Sequence, residues 1–148
     1  MILRRARAGD IPALHDIAER AYGVYVERIG RRPAPMDDDY DERIRNAHVV
    51  VAEADGVVVG MIVLIAEPDH LLVENVAVDP DRQHGGVGRA LLALAEDHAR
   101  ELGLGRLRLY TNVAMVENLR LYTRLGYEED GRHIGEGFQR VYLSKRLA

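Results

Sequence analysis

The 148 residues contain no cysteine. That excludes a thiol nucleophile, cysteine-ligated zinc, an iron–sulfur cluster and a disulfide scaffold, and it fits a reducing compartment, the cytoplasm by default. A basic surplus is also missing. Twenty Lys and Arg against 24 Asp and Glu give a formal charge of −4, which argues against a nucleic-acid partner. No apolar run approaches the roughly 18 residues of a membrane span, so no membrane partner is expected. Residues 1–10 (MILRRARAGD) lack the apolar centre of a signal peptide. The histidines His15, His48, His70, His84, His98 and His133 show no metal-ligand spacing, and no metal is expected. What remains is one domain, residues 1–148, long enough to bury a full core without staples.

Periodicity places the elements. Residues 2–6 are strand-like, Asp10 is a plausible N-cap with Pro12 behind it, and Ile11, Leu14, Ile17, Ala18, Ala21, Tyr22 and Tyr25 follow a helical repeat. A polar, proline-bearing loop over 28–41 precedes a short helix near 40–47. Residues 49–54 and 57–66 flank Asp55-Gly56, the signature of a two-residue hairpin turn. A strand over 71–78, a helix over 86–102 closed by Gly103, a strand over 106–111, a helix over 114–125 closed by Gly126, and strands over 127–130 and 138–144 complete the order β-α-α-β-β-β-α-β-α-β-β. The βαβ unit forces its two strands parallel while the hairpins run antiparallel. The fold class is therefore α/β: a mixed, mostly antiparallel twisted sheet of about seven strands with helices on both faces.

The most informative stretch is VAVDPDRQHGGVGR, residues 76–89, where a strand ends, Asp79-Pro80 turns the chain and glycines open a long helix. First-turn amides lack intrahelical partners and the helix dipole favours negative charge, so a phosphate fits there. A Walker A loop would need a lysine followed by a hydroxyl, and neither is present. A dinucleotide fingerprint would need a third glycine where Leu91 stands. The pattern present is Gln83-x-x-Gly86-x-Gly88, which resembles the pyrophosphate-arm signature of the GNAT superfamily of N-acetyltransferases. The strand LLVENVAVDP before it, the helix GRALLALAEDHAREL after it, the strand LRLYT, the block NLRLYTRLGY and a final hairpin stand in that superfamily's order. The likeness covers residues 49–147 well, and 1–48 only in outline.

The resemblance implies a GNAT fold in which residues 1–48 shape an acceptor site and 49–148 form the acetyl-CoA-binding core. Acetyl-CoA would lie where the strands ending at Val78 and Thr111 splay apart. Val76, Ala77 and Val78 would offer backbone groups to pantetheine, and Gln83, His84, Gly85, Gly86, Val87, Gly88 and Arg89 would hold the pyrophosphate, with Arg82 or Arg89 adding charge. The reaction implied is direct attack of a primary amine on the thioester in a ternary complex. An amine with a pKa near 10.4 is deprotonated in only about one molecule in 10³ at pH 7, so a base is useful. Tyr122, in the Tyr-x-x-x-Gly-aromatic block, takes the family's general-acid role by this resemblance; packing its helix on the sheet is its plain alternative. Asn118, one turn earlier, could bond pantetheine, although many relatives place that asparagine where Met115 stands.

Glu74 is the preferred base. Simple alternation puts it on the face of Leu72, Val76 and Val78, an expensive place for a carboxylate unless it opens onto a polar cleft. A salt bridge at the surface is its plain alternative, and Asn75 reads as structural. Asp37, Asp38 and Asp39 could attract a cationic acceptor or be a solvated loop. Tyr22, Tyr25 and Arg28 could line the acceptor site. A catalytically silent CoA-binding regulatory module is the rival function. The strands over 127–130 and 138–144 could pair across a two-fold axis as a homodimer.

Overall fold

A computed structural model describes residues 1–135 and 137–148. Among these residues, strands β1 (Ile2–Arg5), β2 (His48–Ala54), β3 (Val57–Ala66), β4 (Leu71–Val78), β5 (Arg106–Asn112), β6 (Glu128–Gly135) and β7 (Phe138–Arg146) form one sheet in the order β1-β2-β3-β4-β5-β7-β6. Only β4 and β5 run parallel. The helices are α1 (Ile11–Tyr22), the single turn α2 (Val26–Ile29), α3 (Tyr40–Asn46), α4 (Val87–Glu101) and α5 (Val116–Arg124). Helix α4 supplies the crossover that a parallel pair requires.

Two apolar layers follow from strand alternation. On one face α4 lays Leu91, Leu92, Ala95 and Ala99 over Ile62, Leu64, Leu71, Val73, Leu107 and Leu109. On the other, α1 and α3 set Leu14, Ile17, Ala18 and Tyr40 against Val49, Val51, Met61, Val63 and Ala77. The start of α4 presses closely on β3 at Gly60, where a Cβ would stand 2.8 Å from Val87 Cγ1 and 3.3 Å from Leu91 Cδ1.

The turn and cap signals act through local chemistry. Asp55 and Gly56 both take positive φ, 53° and 77°, as a type I′ turn requires. Gly103 (φ +74°) and Gly126 (φ +95°) each close a helix in a Schellman motif. After α4, the amides of Gly103 and Leu104 bond the carbonyls of Arg100 and Ala99; after α5, those of Gly126 and Tyr127 bond Thr123 and Tyr122. Asp10 differs from expectation. Its carboxylate does not cap α1 but accepts from Arg7 N at 2.8 Å and from Arg4 at 2.8 and 3.0 Å, so it ties β1 to the turn before the helix.

Two further differences concern strands. β6 and β7 are longer than residues 127–130 and 138–144, because polar residues that carry no alternation signal still pair, as far as Gly135 with Phe138. More consequential is a bulge in β4. Val63 lies opposite Asn75 and Leu64 opposite Val73, which leaves Glu74 without a partner. The extra residue inverts alternation, so Leu71 and Val73 before it and Val76 and Val78 after it all lean toward the α4 layer. The expectation that Glu74 shares a face with Val76 and Val78 is corrected accordingly.

Candidate active site

β4 and β5 are paired at only three positions, Leu71 with Leu107, Leu72 with Arg108 and Val73 with Leu109. Beyond them the strands part, and a cleft of about 360 Å³ opens between Glu74, Asn75 and Val76 on one side and Tyr110, Thr111 and Asn112 on the other. Asn118 and Tyr122 of α5, residues 29 and 31–35, Asp38, Arg43, Gln139 and Arg140 also line it. The edge of β4 left bare by the parting strands carries backbone groups of alternate residues. Asp79 N bonds Val59 O across β3 at 2.8 Å, whereas the Tyr22 hydroxyl reaches Val76 O at 3.0 Å. Alternation therefore directs the backbone of Val76 and Val78 toward the gap and that of Ala77 toward β3.

At the end of β4 the chain makes a 3₁₀ turn (Pro80–Arg82) and enters α4 through Gln83, His84, Gly85 and Gly86. His84 (φ +68°) and Gly86 (φ +85°) are left-handed, which wraps the loop tightly around the helix start. The first intrahelical bond is donated by Ala90 to Gly86 O, so the amides of Val87, Gly88 and Arg89 have no carbonyl partner among the described residues. A side chain at Gly85 would stand 3.2 Å from Arg82 O, whereas Gly88 fits against Val78 and Leu121 at ordinary contact distances. Three free amides at the start of a 15-residue helix, with a bare strand edge beside them, suit a diphosphate followed by an amide-bearing arm. Asp79 and Asp81 would oppose such an anion, but Arg20 of α1 holds them at 2.8 and 2.9 Å. Arg20 was not foreseen from the sequence.

Glu74 sits at the bulge, partly buried. Its Oε1 accepts from the Tyr110 hydroxyl at 3.3 Å and from Arg43 Nη2 at 3.5 Å, leaving Oε2 without a partner among the described residues. Arg43 is in turn fixed by Asp38 at 3.0 Å. Behind Glu74, buried Asn75 accepts from the Tyr22 hydroxyl at 2.5 Å and donates to the Tyr40 hydroxyl at 3.2 Å, and Tyr40 donates to Pro35 O at 2.5 Å. One network thus joins α1, α3, the bulge and the loop before α3. Burial raises the hydroxyl pKa of both tyrosines above the ordinary value, so they remain protonated donors.

Tyr122 lies across the cleft in the last turn of α5. Its ring is buried against Tyr127, centroids 5.8 Å apart, and its hydroxyl makes no hydrogen bond to a described residue. Burial holds its pKa well above the ordinary tyrosine value. The Tyr-x-x-x-Gly-aromatic spacing has a local cause: Tyr122 and Tyr127 are the two residues whose side chains meet across a Schellman motif. Asn118 also lines the cleft, its Nδ2 3.6 Å from Met115 Sδ. Met115 itself is buried and accepts from Thr111 Oγ1 at 3.2 Å.

Other candidates separate clearly. Tyr22 lines the cleft, whereas Tyr25 and Arg28 do not; they bind Glu117 at 3.2 and 3.0 Å and dock α5 onto the first helical segment. Asp39 caps α3 through Glu42 N, Asp38 holds Arg43, and Asp37 pairs with Arg32. Arg82 and Arg89 are exposed beside the α4 loop. Among the described residues no group of three His, Cys, Asp or Glu is placed to hold a metal ion, and no helix is long and apolar enough to cross a membrane. Tyr110, Arg31, Arg32, Arg43 and Arg140 are cleft residues that the sequence did not reveal. The alternation of β5, apolar Leu107 and Leu109 against Tyr110 and Asn112, was the available signal for Tyr110.

Residues 11–127 match the model of the acetyltransferase (GNAT) family. An IAA acetyltransferase of Azospirillum brasilense is 36% identical over 84 residues, 55% of each chain, so the match spans about half the length of that relative. A ribosomal protein bS18-alanine N-acetyltransferase of Escherichia coli K12 is 28% identical over 81% of this chain and 76% of its own. In fold, the chain is similar to the PaiA N-acetyltransferase of Thermoplasma acidophilum, solved in complex with coenzyme A, with a TM-score of 0.82 at 17% identity over 99% and 98% of the two chains. With a family match that runs from the start of α1 to the residue before β6, and a splayed β4–β5 pair beside a glycine-opened helix, the chain belongs to the GNAT family of acetyltransferases.

Proposed function

We propose that the protein transfers an acetyl group from acetyl-CoA directly to a primary amine, in a ternary complex and in the cytoplasm. The observation that carries the reading is a cleft lined by Glu74 and Tyr122 beside β4, whose chain runs on to a helix start with three amides that have no partner among the described residues. The amides of Val87, Gly88 and Arg89 would hold the diphosphate, with Gln83, His84, Gly85 and Gly86 shaping the loop around it. The bare edge at Val76 and Val78 would receive the pantetheine arm as an added strand, and Asn118 would bond it from α5. Acetyl-CoA supplies the activated acyl group; proton traffic falls to the protein.

Glu74 takes a proton from the incoming ammonium. Arg43 and the Tyr110 hydroxyl both bond its Oε1 and hold the carboxylate in place, while Oε2 is left to meet the amine. Tyr122, kept protonated by burial, donates to the departing thiolate. That leaving group resembles cysteine, with a pKa of about 8.5, so the help required from the acid is modest.

The test is calorimetric titration with acetyl-CoA, then thiol release with a panel of amines, on the wild type and Glu74→Gln. Binding, turnover and a roughly 10²-fold loss of kcat/KM at pH 7 that narrows as pH rises toward the amine's pKa are expected. Binding without turnover on any amine would instead favour a regulatory CoA-binding module.

A further inference from the structure

We infer that the acceptor amine carries a carboxylate and that Arg31 selects it, an inference that rests on the transferase reading above. Arg31, Arg32, Arg43 and Arg140 all line the cleft, and no lysine does. Two of them are committed to protein carboxylates: Arg43 to Asp38 and Glu74, and Arg32 to Asp37 and Glu19. Arg140 lies over the ring of Tyr110, its Cζ 4.4 Å from the centroid. Arg31 has no carboxylate partner among the described residues. Its guanidinium donates to the carbonyl of Gly137, in the turn between β6 and β7, which anchors one edge of the fork and leaves the other N–H groups to a ligand.

The diphosphate does not account for this charge, because residues 83–89 that would hold it are absent from the lining of this cleft. The lining points to the acceptor. Tyr110 touches Glu74 with its hydroxyl and carries Arg140 on its face, so, Arg43 apart, the arginine side of the cleft begins one aromatic ring away from the base. An ammonium directed at Glu74 and a carboxylate directed at Arg31 describe a zwitterionic, amino-acid-like molecule. A planar guanidinium matches a carboxylate in two-pronged fashion, as a lysine would not. A polyamine would meet these arginines as like charges, and a protein amino terminus offers no carboxylate beside its amine.

The experiment measures kcat/KM by thiol release for the twenty L-amino acids, each beside its carboxamide, and for short C-terminally amidated peptides with free amino termini. At least one acid should be turned over about tenfold or more faster than its amide, the factor expected of one charge-assisted pair. Arg31→Gln should bring that acid-over-amide ratio close to one, chiefly through KM, and Arg31→Lys should keep only part of it. Amides or amidated peptides that match or exceed the acids would overturn this inference alone, as would an Arg31→Gln enzyme with an unchanged ratio. No turnover of any amine by a protein that binds acetyl-CoA would overturn the transferase reading and this inference with it.

Discussion

Replacing Gly60 by alanine tests whether the sheet sets the height of α4, the helix proposed to hold the diphosphate. The new methyl would stand 2.8 Å from Val87 Cγ1, and 3.3 Å from both Leu91 Cδ1 and the carbonyl oxygen of Ala77. Val87 is β-branched and stiff in its first-turn rotamer, and the oxygen belongs to the central strand. Relief must therefore come from α4 rising by several tenths of an ångström. Overpacking of this kind costs about 1–3 kcal/mol, offset by roughly 0.5–1 kcal/mol for removing a glycine from a strand. The net loss, about 1 kcal/mol at mid-range and at most about 2.5, should lower the melting temperature by about 2–5 °C in a chain of this size. Because Val87, Gly88 and Arg89 ride on the displaced turn, acetyl-CoA affinity should fall several-fold as well. Thermal unfolding with and without acetyl-CoA, together with titration calorimetry, measures both. Gly60→Ala combined with Val87→Ala removes the colliding methyl, so the double variant should be less destabilised than the sum of the singles by about 1 kcal/mol. Strict additivity, or unchanged affinity in Gly60→Ala, would refute the coupling between β3 and the helix start.

Three other predictions follow from the site and its surroundings. Tyr122→Phe should lower kcat about 10–10²-fold while leaving acetyl-CoA affinity and melting temperature nearly unchanged, since no protein group loses a hydrogen bond; stopped-flow thiol release and calorimetry read the two effects. Asn75→Leu should cost about 1–3 kcal/mol in urea unfolding, because the Tyr22 and Tyr40 hydroxyls lose their shared partner in the core. His48 stacks on His98 at 3.9 Å, and its pKa is pushed down to about 4 by burial, then by His98 and Arg5. Its folded value lies below its ordinary 6.5, so between pH 6.5 and 4 the unfolded chain binds the extra proton and stability falls as pH drops through that window. The loss should reach about 1–2 kcal/mol once solvent screening of this partly exposed ring is allowed for. His48→Phe should flatten the pH dependence of the urea midpoint there.

Local chemistry made most of the scaffold legible. The Asp55-Gly56 turn, the stops at Gly103 and Gly126 and the glycine-led start of α4 each depend on residues within one turn of the feature they specify. The β4 bulge does not. LLVENVAV reads as clean alternation, and the extra residue is defined only by the register against β3, where Val63 meets Asn75 and Leu64 meets Val73. For the same reason the sequence singles out Glu74, which lines the cleft, without revealing what surrounds it. Tyr110 lies 36 positions away and Arg43 lies 31, in elements whose approach depends on the whole sheet. Residues 31–35 had only a polar, proline-bearing composition to offer, which marks a loop without saying what it overhangs. Asp10 shows the opposite case: a good cap residue by type is drawn instead to Arg4, a guanidinium that tertiary structure brings within 2.8 Å.

The cap at the end of α5 decides how mutations here must be interpreted. The main chain of Tyr122 is held by a bond from the amide of Tyr127 to its carbonyl, and no substitution of the Tyr122 side chain removes that bond. A conservative change at 122 therefore tests the proton donation proposed for its hydroxyl without disturbing the cap. Gly126 is different: it performs no chemistry, yet its φ of +95° is one that a side chain strains, and a Cβ there would stand 3.3 Å from Lys145 Cε. A lesion at 126 would unseat Tyr122 and Tyr127 together and, in an activity screen, would be indistinguishable from loss of the Tyr122 hydroxyl. Only the melting curve separates the two, so a collection of inactive variants from this protein should be sorted by stability before any position is assigned a part in the reaction.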